Sequence, residues 1–241
     1  MSKIPKRPED IFQEFSEDYR SIFEDDLLSI ILYGSGAKGD YVYKKSDINF
    51  AIILTEHGIS QIRKCIPLIS KYRKRKVTTP LFLTPNYIEN SLDSYPVEFF
   101  NMKTSHQLVY GEDLFAGLVI DNQFLRLQSE RELKGKLLHL REAYLSTAHK
   151  TKLMKQLISN SIISFSSIFT VLLHLKNVNV SLHTSDIVLK TAQAFNLDQI
   201  LFNQLLEIRK DSNDLSKEQL YELLEKYIIE IQKLTNLIDK L

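Results

Sequence analysis

Ile30-Ile31-Leu32-Tyr33-Gly34-Ser35-Gly36-Ala37-Lys38-Gly39-Asp40, followed after Tyr41 to Ser46 by Asp47-Ile48-Asn49-Phe50-Ala51-Ile52-Ile53-Leu54, decides the reading of this chain. An apolar run of strand length meets a turn of small residues, and a second apolar run opens on an acid. Glycine at such a turn lets backbone N–H groups approach phosphate oxygens closely. Asp47 and Asn49 stand two apart at the head of the second run, so on a strand both side chains leave the same face. Eleven residues separate the Gly34-Ser35 pair from Asp47.

Outward from this stretch, helix breakers divide the chain. All six prolines lie at or before Pro96 and all seven glycines at or before Gly135. The remainder, free of both, reads as nearly all helical. The expected class is therefore α+β: a mixed sheet with flanking helices over residues 1–115, then an all-α bundle over 116–241, with a cleft between them.

In the first part, Pro8-Glu9-Asp10 opens a helix with Ile11, Phe15, Tyr19, Ile22 and Phe23 as its apolar stripe. Strands are expected at 28–33, 48–54, 81–84 and 97–102. A helix over 60–76 turns Ile62, Ile66, Ile69 and Tyr72 inward, and 85–93 forms a short helix or turn. In the second part, five helices are expected, at 122–150, 152–176, 184–195, 198–210 and 216–241, with Thr184 and Ser216 as N-caps. The last carries Leu220, Leu224, Tyr227, Ile231, Leu234, Ile238 and Leu241 at alternating spacings of four and three. Such a seam packs either inside the chain's own bundle or against a second copy or partner protein.

Composition narrows the function classes. A net charge of +1 over 241 residues creates no global field, so nucleic acid is not an expected partner. One cysteine, Cys65, excludes an internal disulfide and a cysteine-built metal site, and fits a reducing cytoplasm. No run of eighteen apolar residues and no leader-like start are present, so no membrane span is expected. The basic run Lys71 to Lys76 reads as cations at a helix C-terminus, with phosphate steering as the alternative.

The Gly-Ser pair followed by Asp47-Ile48-Asn49 resembles the signature of the nucleotidyltransferase superfamily, the DNA polymerase beta-like fold. That signature is Gly-Ser, about ten residues, then two carboxylates one residue apart. Further segments, among them Tyr95-Pro96-Val97-Glu98-Phe99 and Val109-Tyr110-Gly111-Glu112-Asp113, resemble bacterial nucleotidyltransferase-domain proteins that carry a C-terminal helical domain. The resemblance implies a Mg2+ or Mn2+ site and an NTP as substrate. Gly34, Ser35 and Lys38 would hold phosphates, Asp47 and Glu98 would be catalytic, and Asp47, Asn49 and Glu98 would ligate metal. It implies transfer of a nucleoside monophosphate to a hydroxyl on an acceptor, a small molecule or a protein, that the sequence does not name. Asn49 departs from the signature, because it offers a carbonyl oxygen without charge. The alternative is therefore a catalytically degenerate nucleotide-binding or regulatory module. Asp47 and Glu98 also have plainer readings, as a strand-start acid and a rim acid. HEPN ribonucleases carry arginine four to six residues ahead of histidine, and none of the six histidines here has that spacing.

Overall fold

The computed structural model describes residues 4–148, 150–179, 181–210 and 215–239. Two compact units emerge, Met1–Ile120 and Asp121–Leu241. In the first, α1 (Phe12–Phe23) leads into β1 (Leu27–Tyr33) and β2 (Asn49–Leu54). Then come α2 (Glu56–Ile59), α3 (Ile66–Arg73), β3 (Leu81–Leu83), α4 (Pro85–Glu89), α5 (Pro96–Thr104) and β4 (His106–Gly111). The strands form one mixed sheet in the order β3-β2-β1-β4. β1 runs antiparallel to both β2 and β4, whereas β2 and β3 are parallel.

Both faces of this sheet are covered, which is why β1 and β2 read as near-continuous apolar runs. Ile30, Leu32, Phe50 and Ile52 share one cluster with Phe15 and Tyr19 of α1, Cys65, and Tyr72 of α3. Ile31, Ala51 and Ile53 share the other with Ile88 of α4, Phe99 and Met102 of α5, and Phe115. The alternation is the period-2 geometry of a strand. Phe15 stacks on Phe50 with ring centroids 4.1 Å apart, tying α1 to the sheet.

Two expectations in this unit are corrected. Residues 97–102 form helix, not strand. Val97 and Phe99, two apart, imitate a strand, but the cluster takes Phe99 and Met102, three apart, and Pro96 with Glu98 makes a helical first turn. The fourth strand is instead His106–Gly111, an edge strand whose polar start and exposed residues gave little apolar signal. Over 60–76 the inward stripe also differs. Ile62 and Ile66 are exposed, while Cys65 and Tyr72 are buried. A 3-10 turn over Ile62–Cys65 precedes α3 and resets the helical phase.

The second unit contains α6 (Asn122–Ser146), α7 (Thr151–Leu175), α8 (Thr184–Ala194), α9 (Gln199–Arg209) and α10 (Lys217–Ile238). On α10, Leu220, Leu224, Tyr227, Ile231, Leu234 and Ile238 are all buried in the cluster that fills this unit, so the seam packs internally; Leu241 lies outside the described residues. α7 is long and apolar enough to cross a membrane. Ile158, Phe165, Ile168, Phe169 and Leu172 are buried in the same cluster, and α6, α8, α9 and α10 pack against this helix, which accounts for its composition.

Ser216 caps α10 in a reciprocal box: its hydroxyl accepts from the Gln219 N–H, and the Gln219 side chain accepts from the Ser216 N–H at 2.8 Å. Thr184 sits inside α8, whose N-cap is His183. Ser216→Ala is expected to cost about 1 kcal/mol. Urea denaturation of the whole chain checks this, and an unchanged midpoint would mean that water caps α10 equally well.

Candidate functional site

β1 ends at Tyr33, whose register partners are Asn49 on β2 and His106 on β4. The chain then turns through Gly34–Gly36, where the Gly34 carbonyl accepts from the N–H groups of Ala37 and Lys38, each at 3.1 Å. Gly34 has φ +75°, in the region that glycine alone adopts without strain, and a Cβ there would lie 3.0 Å from Asn49 Nδ2. The turn and the head of β2 are therefore in contact. At the start of the turn, the N–H groups of Ser35 and Gly36 precede the first donors that a helical turn can satisfy.

Lys38 follows in the same turn and is partly buried. Burial lowers its pKa, and the Asp40 carboxylate partly offsets that. Lys38 therefore brings a partly buried cation to the turn, beside the Asp40 carboxylate, where an anion would meet it.

The two side chains at the head of β2 each have a partner on the segment after α3. Ile48 bridges Val77 in parallel fashion, with the Ile48 N–H donating to Lys76 O at 2.8 Å and the Thr78 N–H to Ile48 O at 3.0 Å. This ladder puts Lys76 beside Asp47 and Thr78 beside Asn49. Lys76 Nζ lies 3.4 Å from Asp47 Oδ1, and Thr78 Oγ1 donates to Asn49 Oδ1 at 2.9 Å. Lys76 itself has φ +67°, a left-handed residue that swings the chain out of α3 and into register with β2.

Glu98 sits elsewhere than expected. It is exposed in the first turn of α5 rather than on a strand. By alternation Asn49 shares the sheet face of Ala51 and Ile53, against which Phe99 and Met102 of α5 pack, and Glu98 lies between the buried Val97 and Phe99 of that helix with its own side chain exposed.

Sequence reasoning gave Thr78 and His106 no role and placed Lys76 in a basic run read as cations at a helix C-terminus, with phosphate steering as the alternative. The basic run is not one helical face: Lys71 pairs with Glu14 and Asp18, Arg75 pairs with Glu14, and Lys76 alone reaches Asp47. The missing signal was the end of α3 at Arg73, three residues before Lys76. His106, opposite Tyr33, faces the Met102 carbonyl at 2.9 Å through Nδ1 and the Asp113 carboxylate at 2.9 Å through Nε2. Burial alone would raise the Asp113 pKa, but hydrogen bonds from His106 and from the Ala116 and Phe115 N–H groups hold it below the usual range. With both ring nitrogens engaged, His106 fastens the end of α5 to the loop after β4. Of the other histidines, His149 lies outside the described residues.

The donor set bears on the metal that the fold implies. In a two-metal centre the ions lie roughly 3.5–4 Å apart and are bridged by carboxylates. Here the Asp47 carboxylate faces an ammonium, the Asn49 oxygen already accepts a hydroxyl, and Glu98 is on an exposed helical turn. Among the described residues no group of three or more His, Cys, Asp or Glu side chains is placed to hold a metal ion. These residues do not fit a two-metal centre.

No protein-family model matches the chain. Over 64 residues, 26% of the chain, it is 36% identical to a protein of Methanocaldococcus jannaschii named "Putative protein adenylyltransferase". The match spans 64% of that curated relative, less than two thirds of its length. In three dimensions the chain is similar to spectinomycin adenyltransferase AAD(9) from Enterococcus faecialis, in a crystal structure with ATP and spectinomycin. The TM-score is 0.55 at 11% identity, over 93% of this chain and 99% of that one. With its mixed sheet, its Gly-Ser turn and the head of β2 so arranged, this chain has the fold of the nucleotidyltransferases and a nucleotidyltransferase-type relationship to known proteins.

Proposed function

We propose that this chain binds a nucleoside triphosphate, ATP foremost, at the Gly34–Ser35 turn. The observation that carries this reading is the contact between the left-handed Gly34 and the Asn49 carboxamide, which joins the turn to the head of β2. In this reading Gly34 and Ser35 hold phosphate oxygens through backbone N–H groups and the Ser35 hydroxyl, and the Lys38 ammonium pairs with them. The crystal structure of the spectinomycin adenyltransferase contains ATP, which supports ATP as the first nucleotide to test.

A second reading, transfer of a nucleoside monophosphate to a hydroxyl of a small molecule or protein, is favoured by the adenylyl-transferring names of both similar proteins. It would call on Asp47 and Glu98 as its acids. Because the donor set does not fit a metal pair, binding is placed ahead of transfer. Calorimetry with each NTP tests the first reading, and the expected outcome is a measurable heat with ATP. Absence of binding both with and without Mg2+ would sink it. ATP labelled at the α-phosphate tests the second. The wild type is expected to move little label, and Asn49→Asp to move more, because it restores a carboxylate two residues from Asp47. Rapid labelling of an acceptor by the wild type, abolished in Asp47→Ala, would instead put transfer first.

A further inference from the structure

We infer that the site neutralises polyphosphate with a built-in ammonium, that of Lys76, at the place where a metal-dependent relative would use a carboxylate-bound cation. This deepens the proposed function and rests on it. Residues 76–78 form a short ladder with the head of β2. Val77 bridges Ile48, and the residues on either side of that bridge meet as two pairs, Lys76 with Asp47 before it and Thr78 with Asn49 after it. The first pair puts a positive charge 3.4 Å from the acid that heads the signature. The second occupies the asparagine oxygen with a hydroxyl donor.

The backbone holds this arrangement. Lys76 is tied to β2 through its own carbonyl, and its left-handed conformation directs the chain there. An ammonium has three donors, so pairing with Asp47 leaves donors for a second anion. The Lys76 side chain is 40% exposed and the Asp47 side chain 54%, so the pair remains open to a ligand. Asn49 links the pair to the turn: its carboxamide touches the position of a Gly34 Cβ, and Asp47 stands two residues ahead of it. A triphosphate seated on the turn would thus meet Lys38 within the turn and Lys76 beside the head of β2. An asparagine at position 49 then has a physical use. A second carboxylate there would add negative charge next to the phosphates, with no paired metal ion to offset it.

The test is titration of ATP into the full chain by calorimetry, in Mg2+ and separately in EDTA, for the wild type, Lys76→Gln and Lys76→Arg. A charge-assisted hydrogen bond contributes about 1.5–3 kcal/mol, or roughly 10- to 150-fold in affinity. The wild type is expected to bind ATP in EDTA within about threefold of its affinity in Mg2+. Lys76→Gln should lose about tenfold or more in EDTA with an unchanged melting temperature, and Lys76→Arg should recover most of the loss. A wild type that binds only in Mg2+, or a Lys76→Gln variant that matches it in EDTA, would overturn the inference and leave the nucleotide reading standing. No binding in either buffer would instead remove the nucleotide reading, and this inference with it.

Discussion

Replacing Gly111 with alanine is expected to unfold the N-terminal unit or bring it close to unfolding. Gly111 ends β4 opposite Ser29 at φ +80°, and a Cβ on it would sit 1.9 Å from the Leu28 carbonyl oxygen and 2.9 Å from the Leu28 carbonyl carbon. Both atoms are backbone of the central strand β1, so no side-chain rotation relieves the clash. The left-handed conformation costs an L-residue about 1–2 kcal/mol, and overpacking adds roughly 1–3 kcal/mol. Together these approach the lower part of the roughly 5–15 kcal/mol that holds a domain together. If β4 separates from β1 instead, one edge of the sheet is lost, along with the packing of Val109 and Tyr110 against the α1 side of the core. Thermal melting followed by circular dichroism should show a fall of at least about 10 °C in the transition of this unit. A melting curve indistinguishable from the wild type would mean that β4 does not pair with β1 in the register described.

Replacing Gly34 with valine is expected to abolish ATP binding, with a loss of about 100-fold or more, while the sheet survives. At φ +75° a β-branched residue is strongly disfavoured, and its Cβ would press on Asn49 Nδ2 at 3.0 Å. The turn relaxes by rotating to negative φ, which swings the Ser35 N–H away from its present direction and moves Lys38 with it. Losing two charge-assisted contacts at about 1.5 kcal/mol each already accounts for two orders of magnitude. Unlike Gly111, Gly34 lies beyond the end of β1, so the strand ladder itself is not cut. Calorimetry beside a urea denaturation series separates the two effects. Wild-type affinity in a folded Gly34→Val protein would show that the turn is not where the nucleotide sits.

The helical half was the most legible part of the chain. Over 100 residues without proline or glycine, apolar spacing alone located five helices, and the ends differ by a few residues where Ala148, for example, adopts φ +44° and stops the helix. In the sheet, β1 and β2 were readable because both faces are buried and their apolar runs are continuous. The edge strand β4 was not, since an edge needs only one neighbour and tolerates His106 and Gln107 at its start. Val97 to Met102 misled because Val97 and Phe99 alternate like a strand, while the contact partners of Phe99 and Met102 belong to a helix packed on the sheet.

For the site, local sequence determined the turn, the position of Asp47 and the absence of a second carboxylate at Asn49, because each is a property of residues close together in the chain. What faces Asp47 and Asn49 was decided only by tertiary structure. Lys76 and Thr78 lie 29 residues further along the chain from these partners, and they arrive there through the bridge between Ile48 and Val77. No periodicity in a single sequence encodes which strand-like segment will line up beside another, since that choice is made by the packing of α3 and the sheet together.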